Sequence, residues 1–111
     1  MNITTTEQNG VTVISLEGRL DGQHAQTAEQ AFLGLAGSEG RTKFVLDFTH
    51  MQYISSAGLR VVLVAAKKVR SLQGKLVCAS MSEQVRDVFE MSGFLSILET
   101  APSTEEALAQ F

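Results

Sequence analysis

Two adjacent hydroxyls, Ser55 and Ser56, stand in Tyr53-Ile-Ser-Ser-Ala-Gly-Leu-Arg60, where an apolar run and a short loop give way to a helical pattern. A serine at a helix start accepts hydrogen bonds from backbone N–H groups that have no partner within the helix. The positive end of the helix dipole draws negative charge to the same spot. A hydroxyl presented this way is suited to receive, hold and release a phosphate. The plainer alternative is a serine that only caps the helix. Other chemistry finds less support. A nucleophile elbow needs a glycine on each side of its serine, and Ile54-Ser-Ser-Ala-Gly58 lacks the first. His24 and His50 have no obvious acid to orient them as a triad base. There is no phosphate loop with its lysine and no G-x-G-x-x-G. One cysteine and two histidines form no recognisable metal-ligand spacing. The expectation is a chain with no catalytic residues, no cofactor and no metal, and thus not an enzyme.

The elements that must position the serines follow from the pattern. Val11-Thr-Val-Ile-Ser-Leu16 is alternating and β-branched, and Asn9-Gly10 before it is a hairpin signal. This predicts an antiparallel pair with a first strand at Asn2–Thr6. Gly18 to Gly22 is expected to be a loop. Ala25, Ala28, Phe32 and Leu35 recur at helical spacing. Asp21 is the candidate N-cap of that helix, and Gly37 or Gly40 its end. Thr42 to Phe48 is apolar on consecutive positions, as in a strand covered on both faces. After a loop containing His50, a helix is predicted from about Ala57 to Leu72, with Gly74 as its exit. Lys75–Ala79 is the next strand. Ser80 and Glu83 have capping-box spacing before the apolar face of Val85, Val88 and Phe89, and Gly93 is a left-handed stop. Leu95–Leu98 is expected to be a short strand. Ser103 and Glu106 repeat the capping pattern after Pro102 and open a last helix.

The predicted order β-β-α-β-α-β-α-β-α is an α/β fold, a mostly parallel sheet with one antiparallel N-terminal strand and about four helices. Residues 1–111 are expected to form one domain. Active loops of such sheets gather beyond the carboxyl ends of the strands, which predicts that Asp21–Gly22 and Ser55–Ser56 lie at one edge.

Composition narrows the function classes. A net charge of −3 argues against nucleic-acid binding, which needs a concentrated basic face. Lys67-Lys68-Val-Arg70 fits the basic last turns of a helix. The apolar run Val61–Ala66 is far below the ~20 residues of a spanning helix. Met1 to Thr6 lacks the basic start and apolar region of a secretory leader. The expectation is a cytoplasmic protein that does not insert into membranes. Cys78, the one cysteine, excludes an internal disulfide and reads as a small buried strand residue.

Leu46-Asp-Phe-Thr-His-Met-Gln-Tyr-Ile-Ser-Ser-Ala-Gly-Leu-Arg60 resembles the signature of the STAS domain family, best known from bacterial anti-sigma factor antagonists. That signature is a strand, an Asp, an apolar residue, Ser or Thr, a loop, then Asp-Ser-Ser/Thr/Ala-Gly and a helix. Leu16-Glu-Gly-Arg-Leu-Asp21 and Val85-Arg-Asp-Val-Phe-Glu-Met-Ser-Gly-Phe94 are similar to two further family segments, in the right order. The resemblance implies phosphorylation of Ser56 by a serine kinase that is itself the anti-sigma factor. Ser55 stands where the family has Asp and is the alternative acceptor. It implies partner contacts through Asp21, Gly22, Ser55, Ser56, Ala57, Gly58 and Arg60. The unmodified chain would bind the kinase and release the sigma factor, phosphate would end that binding, and a serine phosphatase would reset it. STAS-like domains also serve as small subunits or scaffolds of membrane transport and signalling complexes, where the same surface would be a permanent interface and Ser56 only a helix cap.

Overall fold

A tight hairpin starts the fold. β1 (Asn2–Gln8) and β2 (Val11–Leu20) pair antiparallel from Gln8↔Val11 to Asn2↔Glu17. Asn9 and Gly10 close it with φ of 54° and 80°, the two left-handed residues that match a two-residue turn to the strand twist. The computed structural model describes residues 1–111. The remaining strands are β3 (Lys43–Asp47), β4 (Met51–Ile54), β5 (Lys75–Ala79) and β6 (Glu99–Ala101). The helices are α1 (Ala25–Leu35), α2 (Ser56–Ser71), α3 (Glu83–Met91) and α4 (Thr104–Leu108). The sheet order is β1-β2-β3-β5-β6, and β4 pairs with β2 off this path. Every pairing except β1–β2 is parallel.

Both faces of the sheet are covered, as the unbroken apolar run of β3 predicts. Phe44 and Leu46 belong to the larger core with Ile14 and Leu16, under Phe32 of α1, Val62 of α2 and Phe89 of α3. Val45, between them in sequence, joins Val13, Val77 and Ala79 beneath Ala107 of α4. The period-2 alternation of a strand thus divides one run between two cores. Phe32 and Phe44 meet with ring centroids 5.0 Å apart and tilted planes, a favourable aromatic arrangement. Cys78 is fully buried, and burial pushes its thiol up to about 12.

Four expectations are corrected. Gly18 does not begin a loop. It sits inside β2 with φ 96°, at a register shift against β4 that leaves Gln52 without a partner, and the strand continues to Leu20. The added length pairs with β4, a strand not expected from the sequence, because Met51-Gln-Tyr-Ile54 is four residues long without clear alternation. The cap of α3 is Ser82, which accepts from Val85 N–H at 3.2 Å, and not Ser80, whose φ is 63°. The segment Leu95–Leu98 is not a strand. Phe94–Ile97 form a 3₁₀ turn after Gly93, and β6 begins at Glu99. At the end of α2, Gln73 takes the left-handed conformation with φ 57°. Gly74 is needed for another reason, since a Cβ there would lie 2.9 Å from the Thr42 side chain, with the Thr42 carbonyl oxygen nearer still.

Candidate functional site

The site forms where β2 and β4 end side by side and α2 begins. Ser55 N–H donates to the Leu20 carbonyl oxygen at 3.0 Å, tying the start of α2 to the end of β2. Gly58 makes that junction possible. A Cβ on it would stand 2.8 Å from Ile54 Cγ1 and 2.9 Å from Leu20 Cγ, and the Leu20 carbonyl oxygen is closer. No other side chain fits without displacing backbone. Asp21 follows Leu20 directly, so the two predicted loops do share one edge of the sheet.

The two serines divide their work. Ser55 is the N-cap of α2, with extended backbone (φ −99°, ψ 177°), and its Oγ accepts from Gly58 N–H at 3.3 Å. Ser56 is the first helical residue and is exposed. Its hydroxyl therefore stands beside the helix N-terminus, outside the capping bond. α2 has no acidic residue in its first turn to compete for the positive end of the dipole.

Asp21 is not the N-cap of α1, since His24 occupies that position and offers no side-chain cap. Asp21 instead closes the turn leading into α1. Its carboxylate accepts from Gln23 N–H at 3.1 Å and His24 N–H at 3.3 Å, and from His24 Nδ1–H at 2.8 Å. Partial burial pushes its carboxyl up, but the hydrogen bonds and charge of His24 and the Gln23 amide outweigh this and hold it below its ordinary value. Arg19 lies 3.6 Å from Asp21 and stacks 4.3 Å over the Tyr53 ring. The rim beside the serines is thus a fixed set, Arg19, Tyr53 and Asp21, of which only Asp21 was expected from the sequence. The Arg19–Tyr53 contact was hidden because it needs the β2–β4 pairing, in which these residues stand opposite each other.

Of the other expected contact residues, Gly22 and Arg60 are exposed and Ala57 is half-buried. Gly58 is the exception. It is buried, and its lack of a side chain admits the close approach of α2. Ser56 and Arg60 also line a shallow groove with Leu59, Leu63 and Phe94. Met91, the last residue of α3, and Ile97, in the turn that follows it, are 89% and 60% exposed. Asp47 supports the neighbouring loop. Burial pushes its carboxyl up, but hydrogen bonds from the Thr49 hydroxyl and amide, Ser15 and Thr104 hold it below its ordinary value.

The STAS domain model matches residues 2–107. The chain belongs to the STAS domain family. A Bordetella bronchiseptica protein named as a candidate anti-sigma factor antagonist, BtrV, is 43% identical over 111 residues, covering 100% of this chain and 95% of its own. The anti-sigma-B factor antagonist of Listeria monocytogenes is 30% identical over 86 residues, covering 78% of this chain and 75% of its own. Among solved structures, a candidate anti-sigma factor antagonist from Thermotoga maritima superposes with a TM-score of 0.91 at 18% identity, over 97% of this chain and 92% of that one. The Bacillus cell fate determinant SpoIIAA in its phosphorylated form superposes with a TM-score of 0.75 at 21% identity, over 98% of both chains.

Proposed function

We propose that this STAS domain is an anti-sigma factor antagonist switched by phosphate on Ser56. The observation that carries the reading is the division between the serines: Ser55 Oγ is held by Gly58 N–H, while Ser56 is exposed at the first turn of a sixteen-residue helix. The match to BtrV over the whole chain and the existence of SpoIIAA in a phosphorylated form support it.

In this account the unmodified chain docks on an anti-sigma factor that is also a serine kinase, and docking releases the sigma factor. The contact is made by Asp21, Gly22, Ser55, Ser56, Ala57 and Arg60, extended along the groove toward Phe94. Phosphorylation adds about −1.5 to −2 charges and three acceptor oxygens. The helix N-terminus accommodates that charge within its own domain, gaining up to ~1 kcal/mol from the dipole. At the docked surface the same dianion would be desolvated without a partner, which costs more than the contact gains. The fold stays as it is while affinity falls, and a serine phosphatase restores it. Ser55 replaces the carboxylate that this position carries in the family pattern, and it still supplies the cap through its hydroxyl.

The test is phosphorylation by the cognate anti-sigma kinase with ATP, followed by fragmentation to locate the phosphate. One phosphate on Ser56, absent from Ser56→Ala, is expected. Full labelling of Ser56→Ala would place the acceptor elsewhere.

A further inference from the structure

We propose that the free edge of β1 is a self-association surface that takes a second copy of this chain in a two-fold antiparallel strand pair. The two ends of the sheet differ sharply. β6 is three residues long, whereas β1 runs for seven, Asn2–Gln8, without proline, lysine or bulge. Natural sheets usually protect so long an edge. The single charge on β1, Glu7, is already engaged. It accepts from Arg41 Nε and Thr12 Oγ1, each at 2.9 Å.

The register is self-complementary. In a two-residue hairpin the closing pair, here Gln8 and Val11, is hydrogen-bonded, and the antiparallel ladder then alternates. The N–H and C=O groups of Ile3, Thr5 and Glu7 therefore point away from β2. A two-fold axis at Thr5 sets Thr5 opposite Thr5 and Ile3 opposite Glu7. All the outward groups of these three residues then find partners, and no two like charges face each other across the seam.

A strand pair alone covers less than the ~1,200 Å² that stable association needs, so α1 must join. An apolar cleft lined by Ile3, Thr5, Ala28, Ala31 and Leu35 separates α1 from β1. On the exposed surface of α1, Thr27, Ala31 and Gly34 are all small. Gly34 has no internal reason to be glycine: its φ is not left-handed and nothing lies within 4 Å of an added Cβ. Glycine inside a helix is destabilising relative to alanine. Close approach of a second α1 across the seam accounts for it. α1 carries one charge, Glu29, and charge depletion is characteristic of interface cores. β1 faces Val11–Glu17 and stops short of Leu20, where Ser55 is anchored, so each copy keeps its own phosphoacceptor.

Sedimentation equilibrium of the full chain from micromolar to millimolar concentration tests this. The expected result is a reversible monomer–dimer equilibrium. Thr5→Pro removes an outward N–H while leaving the β1–β2 bonds, and Ala31→Arg places like charges across the seam. Each should weaken association at least tenfold, and the circular dichroism of Ala31→Arg should match the parent. If Thr5→Pro fails to fold, Ala31→Arg decides. A chain that stays monomeric across the range, or an Ala31→Arg variant that dimerises as the parent does, would overturn the proposal.

Discussion

At the scale of single residues, one position separates the capping serine from the proposed phosphoacceptor. Ser55 at the N-cap has its oxygen on Gly58 N–H, and Ser56 at the first helical position is exposed. Replacing Ser55 by Ala should lower stability by about 1 kcal/mol, measured by urea unfolding. It should leave phosphate transfer to Ser56 intact. Replacing Ser56 by Ala should leave stability within about 0.5 kcal/mol of the parent, as for surface changes without a special contact, and should abolish labelling. A reversal of these two phenotypes would exchange the roles. The pair itself was legible in the sequence because two hydroxyls before Ala57-Gly58 and a long helical pattern have few other readings. Their division was harder to read, since a helix start drawn at Ala57 and one at Ser56 differ by one residue, and that residue decides which oxygen is occupied. Asp21 was misjudged for a similar reason. Its distance from Ala25 suits a cap, but its carboxylate closes the preceding turn onto Gln23 and His24.

At the scale of elements, close approach of backbone explains what periodicity does not. Gly58 lets α2 lie against Leu20 and Ile54, and Gly74 lets the end of α2 pass Thr42. Gly58→Ala should destabilise by about 1–3 kcal/mol, as overpacking does, and should also weaken partner binding, because the strand–helix junction that presents Ser56 must shift. Thermal unfolding together with partner affinity would check this, and an undisturbed Gly58→Ala chain would refute the packing argument. The long elements were legible, since Phe44-Val-Leu46 and the helical spacing of α1 to α3 carry strong patterns. The missed features are those in which a glycine or a short run depends on its neighbours. Gly18 looked like a strand end and proved to lie inside a strand, paired with Met51. Met51–Ile54 becomes a strand only because the lengthened β2 offers it an edge. The turn Phe94–Ile97 is as apolar as a strand, but it is wound into a 3₁₀ turn that exposes Ile97.

At the scale of the whole molecule, one sheet with a core on each face carries the helix that begins at Ser56. No helix is long and apolar enough to cross a membrane. Its acid sensitivity should come from carboxylates such as Asp47 and Asp21, both held below their ordinary 3.8 in the folded chain. Between the lowered value and 3.8, the unfolded chain binds more protons than the folded one, so acid favours unfolding. Their stabilisation is complete above that range and is lost as pH falls through the folded values. Urea midpoints should therefore decline below about pH 4, and Asp47→Asn should flatten the decline. An equally steep profile in that variant would remove Asp47 from the explanation. Phosphate on Ser56 should leave global unfolding within about 1 kcal/mol of the unmodified chain. The most direct test of the central claim is the affinity of the cognate anti-sigma kinase for this chain before and after one phosphate is added to Ser56, measured by calorimetric titration. The account predicts tight binding before and at least a roughly 30-fold loss after, the equivalent of about 2 kcal/mol or more. Equal affinity for the two forms would contradict it.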